Sequence, residues 1–316
     1  MKRRQQFLIK GQYENFLEYC NETVEFWKNH RMESDSPEQE KSLRARHFQT
    51  VALDKLTITY TAGEPIENLL PILDSLISLY DDFQKYLALY EKIPNICPLA
   101  IDDWPYQYEE CVQVISLCIL LHRTDLLKRF VALIDNAGYA GEDTLYEDLL
   151  AKLLPGRHDV DEWYHDLYTP LIRAIYVEDK VEAARLLKEY CHQWYPAFAQ
   201  APWHDSHQDG EEGSYVGYWA FEAGAIAFLY GIDDSQIDHM VYPKDLVAYA
   251  RNFTPPAGST QIGRVEAGQP CPRAGYWFTP AQADYRRHFQ AGETMPAFGA
   301  SRWGDTLWYW CGEDQA

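Results

Sequence analysis

Two histidines and several carboxylates lie close together in one polar loop, and side chains of these types bind metal ions. The run W-H-D-S-H-Q-D-G-E-E places His204, His207 and Asp209 within six residues. Nitrogen and carboxylate ligands at this density suit zinc or another divalent ion, and a metal-dependent hydrolase would follow. The H-x-x-H spacing does not match a helical H-x-x-x-H face, and no second ligand cluster is evident. A solvated acidic loop or a protein-contact loop, without metal, is the favoured interpretation.

Glu222 is the only charged residue in the apolar run Tyr215–Tyr230. An isolated carboxylate in such surroundings costs several kcal/mol, so it needs a partner or a raised pKa. A catalytic acid is one interpretation. The favoured one is a buried ion pair or a helix-to-helix hydrogen bond, with Arg44, Arg46 or Arg173 as candidate partners.

No motif of nucleophilic or phosphate-binding chemistry is present. The sequence lacks G-x-S-x-G, a Walker loop, and a G-x-G-x-x-G before a helix. Cys271 lies between two prolines, and only His288 follows it as a partner for nucleophilic catalysis. The seven cysteines form no C-x-x-C pair and are typical of buried thiols in a reducing cytoplasm. We therefore expect no enzyme, no catalytic residue and no cofactor.

Acidic residues recur at the turns between predicted helices. Some of them cap helices and interact favourably with the positive end of the helix dipole. Such turns lie on common edges when helical hairpins stack, so the clusters are predicted to merge into a negative surface. The clusters are Asp102-Asp103, Glu142-Asp143, Asp159-Asp161-Glu162, Glu178-Asp179, Asp209–Glu212 and Asp233-Asp234-Asp238. The residues expected to bind a partner are Glu178, Asp179, Asp205, Asp209, Glu211, Glu212, Asp233, Asp234 and Asp238.

One apolar segment, Ser214–Asp234, is predicted to position these acidic ends as a buried central helix. Its apolar residues recur at three- and four-residue steps, Gly231 supplies the end of the helix, and Gly224 suits close packing. The expected core residues are Gly217, Tyr218, Trp219, Phe221 and Glu222.

Helical periodicity extends through the rest of the chain to about residue 253. The pattern predicts an all-α fold of stacked helical hairpins around the central helix. The predicted helices are Arg4–Asn29, Glu38–Tyr60, Pro65–Glu91, Tyr106–Leu121, Leu126–Ala137, Asp143–Leu154, Asp161–Tyr176, Lys180–Tyr195 and Pro243–Asn252. The expected domains are an N-terminal helical part (1–100), a C-terminal helical part packed on it (101–253), and a small β-rich module (254–316).

The C-terminal module differs in composition from the helical body. T-P-P-A-G-S-T forms a linker, and Gly, Pro and aromatic residues follow with strand-like runs such as I-G-R-V-E and T-L-W-Y-W. Charge separates the two parts as well. The whole chain has 28 basic and 48 acidic residues and a net charge of −20, of which residues 254–316 contribute only −1. A body of −19 repels nucleic acid and anionic lipid and attracts a basic partner.

The N-terminus is basic, but polar residues follow at once and leave no apolar core of a signal peptide. No signal peptide is therefore predicted. No apolar run is long enough to cross a bilayer. We expect a cytoplasmic protein that binds neither nucleic acid nor membrane. Oligomeric state is not indicated by the sequence.

Three stretches resemble one known family. They are D-S-H (Asp205–His207), Y-V-G-Y-W-A-F-E-A-G-A-I-A-F-L-Y-G-I-D-D-S (Tyr215–Ser235) and Y-P-K-D-L-V-A-Y-A-R (Tyr242–Arg251). This pattern is similar to the PoNi family, bacterial immunity proteins for the PoNe polymorphic nuclease effectors. The run Arg44–Gly63, which ends in a Tyr-x-x-Gly turn, resembles the N-terminal part of that family. The tail resembles a short module found on other immunity-type proteins of secretion-system loci.

The resemblance implies an all-α cytoplasmic immunity protein that binds and blocks a DNA-cleaving toxin in type VI secretion competition. The acidic body is consistent with this, because a nuclease presents a basic groove to DNA. The other hypotheses are the metal-dependent hydrolase at His204, His207 and Asp209, and an adaptor or chaperone that holds an effector without neutralising it.

Overall fold

The computed structural model describes residues 2–210, 213–253, 264–279, 281–282, 285–298 and 306–312. In this part the chain forms the predicted helical body and a small antiparallel sheet. The helices are α1 (Lys10–Asn29), α2 (Pro37–Thr61), α3 (Leu69–Glu91), α4 (Pro105–Leu120), α5 (Thr124–Ile134), α6 (Thr144–Ala151), α7 (Thr169–Tyr176), α8 (Lys180–Ala197), α9 (Phe221–Tyr230) and α10 (Lys244–Asn252). No helix in the described ranges is long and apolar enough to cross a membrane.

Consecutive helices pair with one another, as stacked hairpins require. α2 packs along α3, α4 along α5, and α7 along α8, while α1 packs on the outside of α2. The start of α2 shows why the chain folds this way locally. The Ser36 side chain accepts a hydrogen bond from Gln39 N at 3.1 Å, and Pro37 follows at the first helical position.

α9 is the central helix of the body. It contacts α4, α6, α7, α8 and α10, and every residue from Phe221 to Leu229 is buried. A side chain at Gly224 would lie 2.7 Å from Pro243 and 2.9 Å from Val247, so glycine allows α10 to approach closely. Gly231 ends the helix in the left-handed region with φ 65°, as predicted.

The helix is shorter than the sequence suggests, because residues 214–220 are not helical. Gly217 has φ 131°, outside any helical region. The backbone of this segment bonds to side chains of other elements instead. Gln113 Nε2 donates to Trp219 O at 3.0 Å, and Thr61 Oγ1 donates to Val216 O at 2.6 Å. Backbone groups satisfied in this way do not need a helical ladder.

The predicted helix Asp161–Tyr176 is also wrong in its first half, since α7 begins only at Thr169. Residues 160–165 instead form hydrogen bonds with residues at the start of α6. Thr144 N donates to Glu162 O at 2.9 Å, and Tyr164 N donates to Asp143 Oδ2 at 2.9 Å. A 3₁₀ turn, Asp166–Tyr168, then leads into α7.

The C-terminal sheet contains β1 (Arg264–Glu266), β2 (Gly275–Phe278), β3 (Arg286–Phe289) and β4 (Leu307–Gly312) in the order β1-β4-β2-β3. All three pairings are antiparallel. Alternate residues of β4 face different cores. Leu307 and Tyr309 join the core of the helical body, and Trp308 and Trp310 join a second core with Cys271, Trp277, Phe289 and Met295. The predicted linker T-P-P-A-G-S-T lies outside the described residues.

One hydrophobic core runs through both helical parts. It includes Leu73 and Tyr80 of α3 as well as Leu117 of α4 and Ile226 of α9. The division of the helices at residue 100 stays a prediction.

Candidate partner-binding site

The loop after α8 holds Asp205 in a fixed position. Asp205 lies in the left-handed region with φ 62°. The Tyr195 hydroxyl donates to Asp205 Oδ1 at 2.7 Å and accepts from Asp205 N at 3.2 Å. This hydrogen bond holds the pKa of the exposed Asp205 carboxyl below its usual value. Asp209 is exposed in the same loop, whereas Glu211 and Glu212 lie outside the described residues.

The two histidines of this loop pack against aromatic rings. His207 Nδ1 is 2.9 Å from the Tyr218 hydroxyl, and its ring lies 4.4 Å from that of Phe7. His204 stacks on Tyr195 at 4.1 Å between ring centroids. Among the described residues, no three or more His, Cys, Asp or Glu side chains come together in a way that could hold a metal ion.

The acidic residues that follow α9 include both exposed and buried ones. Asp233 and Asp238 are exposed, and Asp233 Oδ1 accepts from Ser235 N at 2.9 Å. Asp234 is buried, where it accepts from Arg251 Nη1 and from the Tyr242 hydroxyl, both at 2.6 Å. Its carboxylate stabilises the junction between α9 and α10 and is not available on the surface.

Two groups of predicted acidic residues lie near opposite ends of α8. Glu178 and Asp179 are exposed at the start of α8, where Asp179 caps the helix by accepting from Val181 N at 2.9 Å. Asp205 is held near the other end of α8 by Tyr195. Tyr195 follows Asp179 by sixteen positions, which corresponds to about 24 Å along a helix.

Glu222 has a different partner from the predicted arginines. The Tyr190 hydroxyl on α8 donates to Glu222 Oε1 at 2.7 Å, which is a helix-to-helix hydrogen bond. Arg44 binds Glu40, and Arg46 binds Glu110 at 2.9 Å, so neither reaches the centre. Arg173 is exposed.

The environment of Glu222 favours its protonated form. Glu222 is fully buried, and burial raises the pKa of its carboxyl to about 7. Glu109 of α4 is also buried, and its pKa is raised by burial and by the charge of Glu222. Gln113 donates to Glu109 and to Trp219 O, and so joins this carboxyl to the segment before α9. Both carboxyls are buried in the core of the helical body.

An exposed tryptophan next to acidic residues is a further feature, and the sequence analysis did not single it out. Trp104, directly after Asp102-Asp103, is 53% exposed. The Tyr139 hydroxyl donates to Asp102 Oδ1 at 2.7 Å, and Tyr139 and Tyr164 meet edge to face at 6.2 Å. The signal available in the sequence was an aromatic residue directly after two acids. We call the group Asp102, Asp103, Trp104, Tyr139, Glu142 and Glu162 the Trp104 face.

Negative charge is concentrated in the second helical part. Residues 101–253 contain 27 acidic and 11 basic residues, a net charge of −16. Residues 1–100 contain 15 acidic and 12 basic residues, a net charge of −3. This charge would attract a basic protein mainly to the surface built by α4 to α10.

Comparison with known proteins agrees with the resemblance inferred from the sequence. Residues 141–246 match the family model described as PoNe immunity proteins (PoNi), C-terminal. The crystal structure of protein PA2201 from Pseudomonas aeruginosa is similar with a TM-score of 0.59 and 22% identity, covering 79% of this chain and 92% of that chain. At this identity the similarity shows a shared fold alone. No curated protein matches the chain.

Proposed function

We propose that this chain is an immunity protein that binds and neutralises a nuclease effector, because residues 141–246 belong to the PoNi C-terminal family. The observation that carries the proposal is the coincidence of this match with the charge. Residues 141–246 contain 21 acidic and 7 basic residues, a net charge of −14 out of −20 for the chain.

The electrostatics favour a basic partner over nucleic acid or lipid. A nuclease has to neutralise DNA phosphates, so the surface around its active site is rich in Lys and Arg. An acidic protein is attracted to that surface and excludes DNA from it. Since the DNA to be protected is in the cytoplasm, we place the immunity protein there as well.

We further propose that exposed acids around the body steer the toxin during approach. Glu178, Asp179, Asp205, Asp209, Asp233 and Asp238 are exposed. Glu211 and Glu212 remain candidates from the sequence alone. Asp234 is left out of this group because its carboxylate bonds to Arg251 and Tyr242.

DNA cleavage by a PoNe-type nuclease domain, measured with and without the purified chain, tests the proposal. We expect cleavage to stop at one equivalent of chain and cells that express the toxin to survive when the chain is co-expressed. An equal concentration of an acidic protein of unrelated fold controls for nonspecific charge effects. Complete cleavage in the presence of a stable complex would instead identify an adaptor, and the absence of both binding and protection would refute the proposal.

A further inference from the structure

We propose that the Trp104 face is the docking surface for the basic DNA-binding side of the toxin, an inference that rests on the proposed function. Trp104 would be the apolar anchor of the contact, and the acids around it would pair with Lys and Arg of the partner. Its acids belong to three of the acidic clusters found in the sequence, but none of them is among the residues that the sequence analysis expected to bind a partner.

Trp104 combines an exposed ring with a fixed backbone. The residue is 53% exposed. Its backbone N donates to Ala100 O at 3.1 Å, and its carbonyl accepts from Gln107 N and Tyr108 N at 2.9 and 3.0 Å. Tryptophan is among the residues that dominate binding energy at protein interfaces. A ring on a fixed backbone loses little conformational freedom on binding.

Three separate segments are joined behind this surface by hydrogen bonds. Tyr139 binds Asp102, and the ring of His165 lies 2.8 Å from Ile101 O. Thr144 N donates to Glu162 O at 2.9 Å, and Tyr164 N donates to Asp143 Oδ2 at 2.9 Å. The acids of the Trp104 face are therefore presented by a rigid support. Such preorganisation favours a specific contact over a diffuse one.

The charge of the same segments identifies the chemistry of the partner. Residues 93–122, 130–151 and 158–172 contain no Lys or Arg. Asp102, Asp103, Glu142 and Glu162 are all exposed on them. The same face of a second copy of this chain, or a nucleic acid, would bring like charge against it. A cationic protein surface complements it.

The variant Trp104→Ala tests the anchor by binding kinetics with the toxin's nuclease domain. We expect the dissociation rate to rise at least tenfold and the association rate to stay within twofold, because an apolar contact acts mainly on dissociation. The matched control is Tyr19→Ala on α1, since Tyr19 is an aromatic residue of similar exposure, 50%. We expect its kinetics to match those of the parent chain.

The variant Asp103→Lys tests the same face without removing the aromatic ring. We expect it to slow association and weaken inhibition, with an unchanged melting temperature because Asp103 is exposed.

If the parent chain inhibits the nuclease while Trp104→Ala and Asp103→Lys both bind as tightly as the parent, the docking surface is wrong and the proposed function stands. If the parent chain neither binds nor inhibits, the proposed function fails and this inference fails with it. A dimer of the parent chain that Trp104→Ala converts to monomer would assign the face to self-association and overturn the inference.

Discussion

The carboxyl group of Glu222 lies in the core with Tyr190 as its hydrogen-bond donor and Glu109 as a carboxyl neighbour. Its pKa is raised from 4.5 to about 7, chiefly by burial. Between these values the folded chain keeps a proton that the unfolded chain has released. The free energy of unfolding therefore falls as the pH rises through that window, by up to about 1.4 kcal/mol per pH unit.

Glu222→Gln should remove this dependence, because a neutral amide replaces the titrating group in nearly the same volume. Relative to the parent chain, we expect the variant to gain stability steadily between pH 5 and pH 7. Glu109 would keep part of the slope, since its own pKa is raised. Urea denaturation at intervals from pH 5 to pH 8 measures the effect.

Tyr190→Phe is the matched control for this prediction. The Tyr190 hydroxyl lowers the pKa of Glu222 by stabilising its charged form. Its removal should therefore destabilise the chain more at pH 8 than at pH 5. Parallel stability curves for Glu222→Gln and the parent chain would show that Glu222 does not titrate in this range.

The sequence allowed part of this site to be predicted. A lone carboxylate in an apolar run has to be buried and paired, and a helix-to-helix hydrogen bond was one of the expected forms. The identity of Tyr190 as donor could not be predicted, because it depends on how α8 crosses α9. Arginine was the natural expectation, yet Arg46 is already bound to Glu110.

At the scale of elements, the segment 214–220 connects the N-terminal region to the central helix. Gln5 Oε1 accepts from Tyr218 N at 2.9 Å, and Gln5 Nε2 donates to Met240 O at 2.8 Å. The chain passes close to Thr61 at Gly217, whose φ is 131°. A Cβ at Gly217 would overlap Thr61 Oγ1 and Trp219 Nε1. A side chain at Gly217 would therefore be destabilised both by backbone strain and by overpacking.

Three glycine-to-alanine variants separate these effects. Gly217→Ala should destabilise the chain by at least about 2 kcal/mol, from strain and overlap together. Gly231→Ala should cost about 1 kcal/mol, because φ is 65° but a Cβ meets nothing within 4 Å. Gly11→Ala in α1 should be neutral or stabilising by about 0.5–1 kcal/mol, since a Cβ there also has open space. Thermal and urea unfolding rank the three, and equal effects at Gly217 and Gly231 would contradict the close approach.

Helical periodicity predicted the presence of the helices better than their limits. α2 and α4 begin within one residue of the expected positions, because proline marks their first residues. Residues 215–220 were misassigned because they are apolar on all sides and carry no period that separates helix from buried extended chain. Their conformation depends on Gln5 and Gln113, which are distant in the sequence.

For the whole molecule, the charge of −16 on residues 101–253 would guide the approach of a basic partner. Long-range attraction raises the association rate and is screened by salt, with a Debye length of about 8 Å at physiological ionic strength. This acidity is evident from the sequence, but how the charges are distributed over the surface depends on the fold. Asp234 illustrates the difference, since it belongs to an acidic cluster in the sequence but lies inside the structure.

Reversing Asp209, Glu211 and Glu212 to Lys should slow toxin association by roughly three- to tenfold at low salt. The dependence of the association rate on salt should flatten in the same variant, because fewer charges attract the toxin at long range. Stopped-flow association at two ionic strengths measures both. Asp234→Asn is the control, and it should lower stability by about 1–3 kcal/mol through its buried bonds to Arg251 and Tyr242 while leaving steering nearly unchanged. An unchanged association rate at both ionic strengths for the triple variant would mean that the loop after α8 does not guide the toxin, and attraction would then have to come from the acids of other faces.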